Sequence, residues 1–294
     1  MLPSDIYSQP NAADPVLEAR TVLDIVHRHG FRCSAVTRVD ETGGEARAYV
    51  IDDKLVLKVQ RPQRLRPRTS LAKEAFFLQQ LAANPDIVVP HVRGYGRHHN
   101  IEYIVMTRMP GVPAIALEIT GVQRRNMLHQ LGRTMRRLHS IPQAPFYDSA
   151  LFPGNRTREE FVERVRTNLA QAVPVLEATP RLWQFAISPA DLVSRVLAAL
   201  PASVDLVALH SNPGPVHTFV QPDTRDFVGL IDFGDAYISH PALDWRWPTH
   251  ADRVALLQGY GDDAPVTDEF IAAWRAALVL SDMSALVTRP ETRP

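Results

Sequence analysis

The stretch Gly229-Leu230-Ile231-Asp232-Phe233-Gly234-Asp235 decides how this chain is read. A short apolar run leads into a carboxylate and an aromatic-glycine pair follows, the pattern of a buried strand that ends in a turn with Asp232 at its tip. A carboxylate placed there is a hard oxygen ligand for a divalent cation, although a plain strand-end turn would read the same way in isolation. Upstream lies His210-Ser211-Asn212-Pro213-Gly214-Pro215-Val216-His217, a loop by its proline and glycine content. It runs between two strand-like segments, Val204 to Leu209 and Thr218 to Gln221, and Phe227 to Asp232 reads as a third.

Composition narrows the class of protein. With 294 residues and 45% hydrophobic content, the chain is long enough for two lobes, each with its own core. Its 32 basic and 32 acidic side chains cancel, so no global positive field is available to gather nucleic acid or an anionic membrane. Cys33 is the single cysteine, which excludes an intrachain disulfide and a cysteine metal cage and suggests a reducing compartment. The N-terminus lacks the basic region and apolar run of a signal peptide, and no window is read as reaching the ~20 apolar residues of a membrane span. The expectation is a cytoplasmic protein with a small-molecule partner, no nucleic acid and no membrane.

Working outward from the quoted stretch, the chain divides near Met109-Pro110-Gly111-Val112-Pro113, where strand signals give way to helical ones. Before it, Asp14-Pro15 opens a helix with Val16, Val22 and Val26 apolar and Gly30 as its stop. Strands follow at Ser34 to Asp40, Ala46 to Ile51, Leu55 to Val59, His91 to Tyr95 and Ile101 to Met106, the last two joined through His98, His99 and Asn100. Thr69 and Ser70 offer an N-cap for a helix carrying Glu74, Phe77, Leu78 and Leu81. The basic run Arg61 to Arg68 lacks interleaved aromatics and reads as an exposed connection rather than a nucleic-acid site. After the division, Leu128, Leu131, Met135 and Leu138 mark one helix face, with Arg133, Arg136 and Arg137 on its wet side. Thr157 with Glu160 is a capping box, and Ser188-Pro189 with Asp191 opens a further helix.

These pieces, in this order, resemble the aminoglycoside phosphotransferase and choline kinase-like branch of the protein-kinase-like fold over nearly the whole chain. Val56-Leu57-Lys58-Val59 resembles the strand whose lysine grips nucleotide phosphates, with Glu74 placed to pair with it. Gly43 and Gly44 resemble the loop over the phosphates, and Ile104 to Gly111, with Met106 and Arg108, the hinge against which the base lies. The family pattern His-Gly-Asp-Leu-His-Pro-Gly-Asn falls on His210 to His217, its Asp-Phe-Gly on Asp232 to Gly234, and Leu243-Asp244-Trp245 resembles the run whose aspartate braces the catalytic loop. The resemblance implies an α+β, bilobal protein-kinase-like fold. Residues 1–108 would form a small antiparallel-sheet lobe with one helix, residues 1–30 being a helical extension, and 109–294 a larger, mainly helical lobe. The catalytic loop falls at 208–220 and the metal-binding motif at 230–235.

What the resemblance implies chemically is an ATP- or GTP-dependent transfer of phosphate to the hydroxyl of a small molecule, with Mg²⁺ or alternatively Mn²⁺ on Asp232 and the nucleotide between the lobes. Two positions depart from the pattern. Asn212 replaces the aspartate that orients and deprotonates the acceptor, and an amide oxygen can orient but is too weakly basic to deprotonate. His217 replaces the metal-binding asparagine, and imidazole suits Mn²⁺ or Zn²⁺ better than Mg²⁺. The same two changes fit a pseudokinase that binds a nucleotide or another ligand without catalysis. His210, like Asn212, falls among the catalytic positions of the pattern, and holding its own loop is preferred for it over acid or base work; Trp245 and Trp247 read as packing residues, and the acceptor is expected against residues 142–201, whose mixed charges do not suit a polycationic aminoglycoside. The oligomeric state and the identity of the acceptor stay open.

Overall fold

Strand β3 (Leu55–Gln60) shows how the sequence builds the first half of the molecule. Its side chains alternate, so Leu55, Leu57 and Val59 face one way and Val56 and Lys58 the other. The first set joins a core with Tyr49, Ile51, Tyr103 and Val105 and with Val22, Ile25 and Val26 of helix α1 (Ala19–Arg28). β3 is central in an antiparallel sheet ordered β1 (Val36–Asp40), β2 (Ala46–Ile51), β3, β5 (Ile101–Thr107), β4 (Val92–His98). Helix α2 (Leu71–Leu81) packs on β4 and β5, with the Ser70 hydroxyl accepting from the N–H groups of Ala72 and Lys73. In this computed structural model, residues 16–288 are described apart from 65–69, 100, 203, 246 and 248. The expected helix opening at Asp14-Pro15, the cap at Thr69, the basic residues Arg66 and Arg68, the Asn100 turn and the tail beyond Thr288 lie outside the described residues.

A second, smaller sheet belongs to the same unit. β8 (Thr218–Val220) pairs with β9 (Phe227–Leu230) and with β6 (Val112–Pro113), and the Leu230 N–H donates to Val88 O at 3.2 Å. Packing therefore groups residues 1–119 with 215–236, whereas the sequence reading draws a single division at 108/109. The reason is hydrogen bonding: a late hairpin completes its ladder with Val112–Pro113, two residues that the sequence reading places in the linker.

The other unit is helical and comprises residues 120–214 and 237–294. Helix α3 (Gly121–His139) is followed by the single-turn α4 (Ala144–Tyr147), α5 (Arg158–Glu177) and α6 (Pro189–Ala198). Strand β7 (Val207–Leu209) pairs with β10 (Tyr237–Ser239), and α7 (His250–Tyr260) and α8 (Asp268–Thr288) close the chain. α5 begins with the expected capping box at Thr157 and Glu160. α3 lies against α7 where Gly132 and Gly259 sit, and a Cβ at either would overlap a backbone oxygen of the facing helix, Leu256 O or His129 O.

Several expectations are corrected. The sequence reading assigns no element to 249–288, which holds two helices; their caps were legible, Thr249 accepting from Asp252 N–H and Thr267 from Phe270 N–H. Val16 is exposed and precedes α1 instead of packing from it. Arg61 is buried, with its guanidinium on Gly43 O at 3.4 Å, and is not part of an exposed connection. The expectation that no stretch approaches a membrane span meets one exception, since α8 is long and apolar enough by length and composition. Its Ala273, Ala276 and Met283 lie in the core shared with Phe161, Val165 and Leu169 of α5.

Candidate active site

Lys58 leaves β3 on the face opposite α1 and reaches two carboxylates. Its Nζ lies 2.8 Å from Glu74 Oε2 and 2.6 Å from Asp232 Oδ1, a residue 174 positions further along the chain. Glu74 comes from the first turns of α2, with its side chain only 1% exposed, while Lys58 is 18% and Asp232 35% exposed. The Phe233 N–H also donates to the Glu74 carboxylate. Phe233 is fully buried and its ring packs on Phe77 of α2 at 4.9 Å, and Ser70 N–H donates to Gly234 O at 3.3 Å. The stretch 229–235 is thus anchored along α2 by the two residues that follow Asp232.

Burial pulls the Lys58 ammonium toward its neutral form, but the charges of Asp232 and Glu74 and their hydrogen bonds outweigh it, so its pKa lies above that of a free lysine. Burial dominates at Glu74 and raises its carboxyl above the ordinary value in spite of Lys58, with the Asp232 charge acting in the same direction. A site of two carboxylates and one ammonium carries a net negative charge, the electrostatic condition for a cation.

His217 completes this constellation. Its Nε2 lies 3.2 Å from Asp232 Oδ2, and its carbonyl accepts the Ile231 N–H at 3.1 Å, next to the Thr218–Leu230 pair of the β8–β9 ladder. Asp232 itself has φ +70, a left-handed conformation costing an L-residue roughly 1 kcal/mol, and such strain is retained mainly where a side chain must be aimed. Asp232 and His217 fit a divalent ion as far as donor chemistry and spacing go. Among the described residues there is no cluster of three or more histidine, cysteine or acidic side chains that could hold a metal. One or two protein ligands suffice for an ion whose remaining positions are filled by phosphate and water.

The other predicted positions are distributed around the first unit. Gly43 and Gly44 form the turn between β1 and β2. Met106 is buried on the same face of the sheet as Lys58, by the Val56–Met106 and Lys58–Ile104 pairs. Arg108 pairs with Asp53 at 3.5 Å, and its backbone N–H donates to Lys54 O.

His210 and Asn212 lie in the helical unit, on the loop leaving β7. Asp244 braces this loop, its Oδ2 accepting the His210 N–H at 2.8 Å and its Oδ1 the Ser211 N–H. His210 is fully buried and its Nδ1 accepts the Asn212 N–H at 3.2 Å, a contact that shapes the loop. Ser211 has φ +81, a second strained residue in a candidate loop. Trp247 is a packing residue with a further duty, donating from Nε1 to Pro213 O at 2.9 Å.

The sequence reading missed the support behind Asp244. His139, the last residue of α3, places Nε2 3.0 Å from Asp244 Oδ2 and Nδ1 3.1 Å from the Tyr260 hydroxyl. The available signal was its position four residues after Met135, which puts a histidine on the buried stripe of the helix.

A small antiparallel sheet with a lysine–glutamate pair, followed by a larger helical part, defines a protein-kinase-like fold. The chain belongs to the phosphotransferase enzyme family, whose model matches residues 36–274. Among solved structures it is similar to the macrolide 2′-phosphotransferase MphH from Brachybacterium faecium, with 22% identity, 94% of this chain and 99% of that chain covered and a TM-score of 0.63. It is also similar to the GDP complex of aminoglycoside 2′-phosphotransferase-IIIa, at 18% identity, 91% and 90% coverage and a TM-score of 0.65. A streptomycin-ATP ternary complex of APH(2″)-IIa aligns at 12% identity, 95% and 93% coverage and a TM-score of 0.56. Comparison with curated protein sequences finds no match.

Proposed function

We propose that the protein transfers the γ-phosphate of ATP or GTP to a hydroxyl of a small molecule, slowly for its family because Asn212 stands where a carboxylate base is expected. The observation that carries this reading is the Glu74–Lys58–Asp232 bridge, with separations of 2.8 and 2.6 Å. In the proposal Lys58 binds the phosphates, Glu74 holds Lys58 in place, Asp232 and His217 hold the metal, and Gly43, Gly44, Met106 and Arg108 border the nucleotide. The bound metal would neutralise charge that develops on the transferred group. The acceptor oxygen forms a bond to the γ-phosphorus while the bond to the bridging β–γ oxygen breaks and the nucleoside diphosphate leaves. Asn212 orients the acceptor O–H, and the proton passes to solvent or to the phosphate itself. Positioning and charge neutralisation sustain turnover without a base because these transition states are loose.

The relatives above include a structure solved with streptomycin and ATP, and kanamycin is bound in another. For this chain an acceptor without several positive charges fits better. A cavity of about 540 Å³ along α5 is lined by Glu159, Glu160, Glu163, Arg164, Thr167 and Asn168. Two of its three acids are already engaged: Glu160 accepts the Thr157 and Arg156 N–H groups and Glu163 pairs with Arg166, while Arg164 lies over the Tyr237 ring.

Asn212 also favours a second reading, a ligand-binding module without catalysis. Nucleotide-dependent thermal shift with Mg²⁺ and Mn²⁺, and γ-phosphate transfer by the protein and by Asn212→Asp, separate the two. The expected outcome is nucleotide binding by both and a turnover roughly 10² or more higher in Asn212→Asp. Binding without turnover in either protein supports the module, and metal-dependent nucleotide binding by neither would sink both readings.

A further inference from the structure

We infer that His217 makes the metal position a mixed nitrogen–oxygen site that takes Mn²⁺ or a later first-row divalent ion in preference to Mg²⁺. The inference rests on the assignment of Asp232 as a metal ligand proposed above. His217 Nε2 and Asp232 Oδ2 are 3.2 Å apart. Neighbouring donors on an octahedron with bonds of ~2.1 Å stand about 3 Å apart, so the two atoms span one edge of such a site with little adjustment. The other Asp232 oxygen is on Lys58, which directs the metal-binding edge toward His217.

This edge is held by the backbone. Ile231 N–H donates to His217 O, and Thr218 pairs with Leu230, so the two side chains project from adjoining ends of one ladder. His217 is 15% exposed in its side chain, which limits the rotamers open to it.

Donor chemistry sets the preference. Mg²⁺ is small, binds oxygen and gives up water reluctantly. Imidazole nitrogen favours ions further along the first transition row, and the affinity rises from Mn²⁺ through Co²⁺ and Ni²⁺ to Cu²⁺. Replacing an amide oxygen by imidazole therefore weakens the claim of Mg²⁺ and strengthens that of Mn²⁺ without adding a charge. The opposing possibility is that His217 donates its N–H to Asp232 and never meets the metal.

The two are separated by electron paramagnetic resonance of Mn²⁺ titrated into the full chain with ADP and, separately, with GDP, with Mg²⁺ as competitor. Nitrogen hyperfine coupling from an imidazole ligand is expected on the bound Mn²⁺, with Mg²⁺ displacing it poorly. In His217→Asn the coupling disappears and the preference for Mn²⁺ over Mg²⁺ falls ~10-fold or more. Bound Mn²⁺ without nitrogen coupling, or an unchanged preference in His217→Asn, overturns the inference. If Asp232→Asn then still abolishes Mn²⁺ binding, the assignment of Asp232 survives. Mn²⁺ binding untouched by Asp232→Asn removes that assignment and this inference together. Nitrogen coupling is read on the unaltered protein, so the test does not depend on a variant folding.

Discussion

At the scale of single residues, Lys58 is the position where structure and chemistry are hardest to separate, because its ammonium neutralises a buried carboxylate and is also the proposed phosphate ligand. Removing it leaves Glu74 uncompensated, and breaking one side of a buried ion pair costs about 3–5 kcal/mol. Lys58→Met is expected to lower stability by roughly 3 kcal/mol, and Lys58→Met with Glu74→Gln to recover part of that loss, as read from denaturant unfolding. Both proteins should lose nucleotide-dependent thermal stabilisation, including the one whose stability recovers. Recovery of the nucleotide response in the double variant would refute the phosphate role of Lys58. Since the Lys58 pKa is raised on folding, the stability its pairing supplies is fully present below the pKa of an unfolded lysine and is lost only as the pH climbs through the folded value, well above neutrality.

Among the elements, the contact of α3 with α7 matters for the site because α3 ends at His139 and α7 ends at Tyr260, the two residues behind Asp244. Gly132 and Gly259 let the backbones meet, and a side chain at either position would overlap a carbonyl oxygen, which cannot swing aside as a flexible side chain can. Gly259→Val is expected to destabilise by at least ~2 kcal/mol through overpacking. Surviving folded protein should show a loosened loop, read as faster hydrogen exchange at the Ser211 and Asn212 amides. Unchanged stability in Gly259→Val would mean that the helices separate freely, and the brace behind Asp244 would then not depend on their close approach. The sequence reading found α3 from its apolar stripe and α5 and α6 from their caps. It passed over α7 and α8 because their apolar residues do not form a narrow stripe, and only the cap at Thr249 and the Thr267 hydroxyl marked where they begin.

For the whole molecule, a measurable consequence is how stability follows pH. Burial, and secondarily the charge of His139, pushes the His240 imidazole down to about 3, while its ring lies against Phe161 and Phe270. A histidine depressed on folding contributes stability that is fully present above its unfolded pKa and is lost as the pH falls below it, because the unfolded chain binds the proton first. Stability should therefore drop by about 1.4 kcal/mol per pH unit from this group below pH ~6.5. His240→Asn keeps an acceptor for the Ala242 N–H and should flatten that slope between pH 6 and 4 in denaturant titrations; equal slopes in both proteins would show that His240 is not held neutral. The sequence by itself determined the five strands of the N-terminal sheet, the family, and the candidates Lys58, Glu74, Asp232 and His217, because alternation, caps and ordered motifs are local signals. Tertiary structure alone decided that the late hairpin 218–230 pairs with Val112–Pro113 and groups with the N-terminal unit, and that His139 and Tyr260 stand behind Asp244. It also decided that Lys58 bridges Glu74 and Asp232. Those facts rest on hydrogen bonds and burial between segments distant along the chain, and no local pattern records which distant partner satisfies a buried polar group.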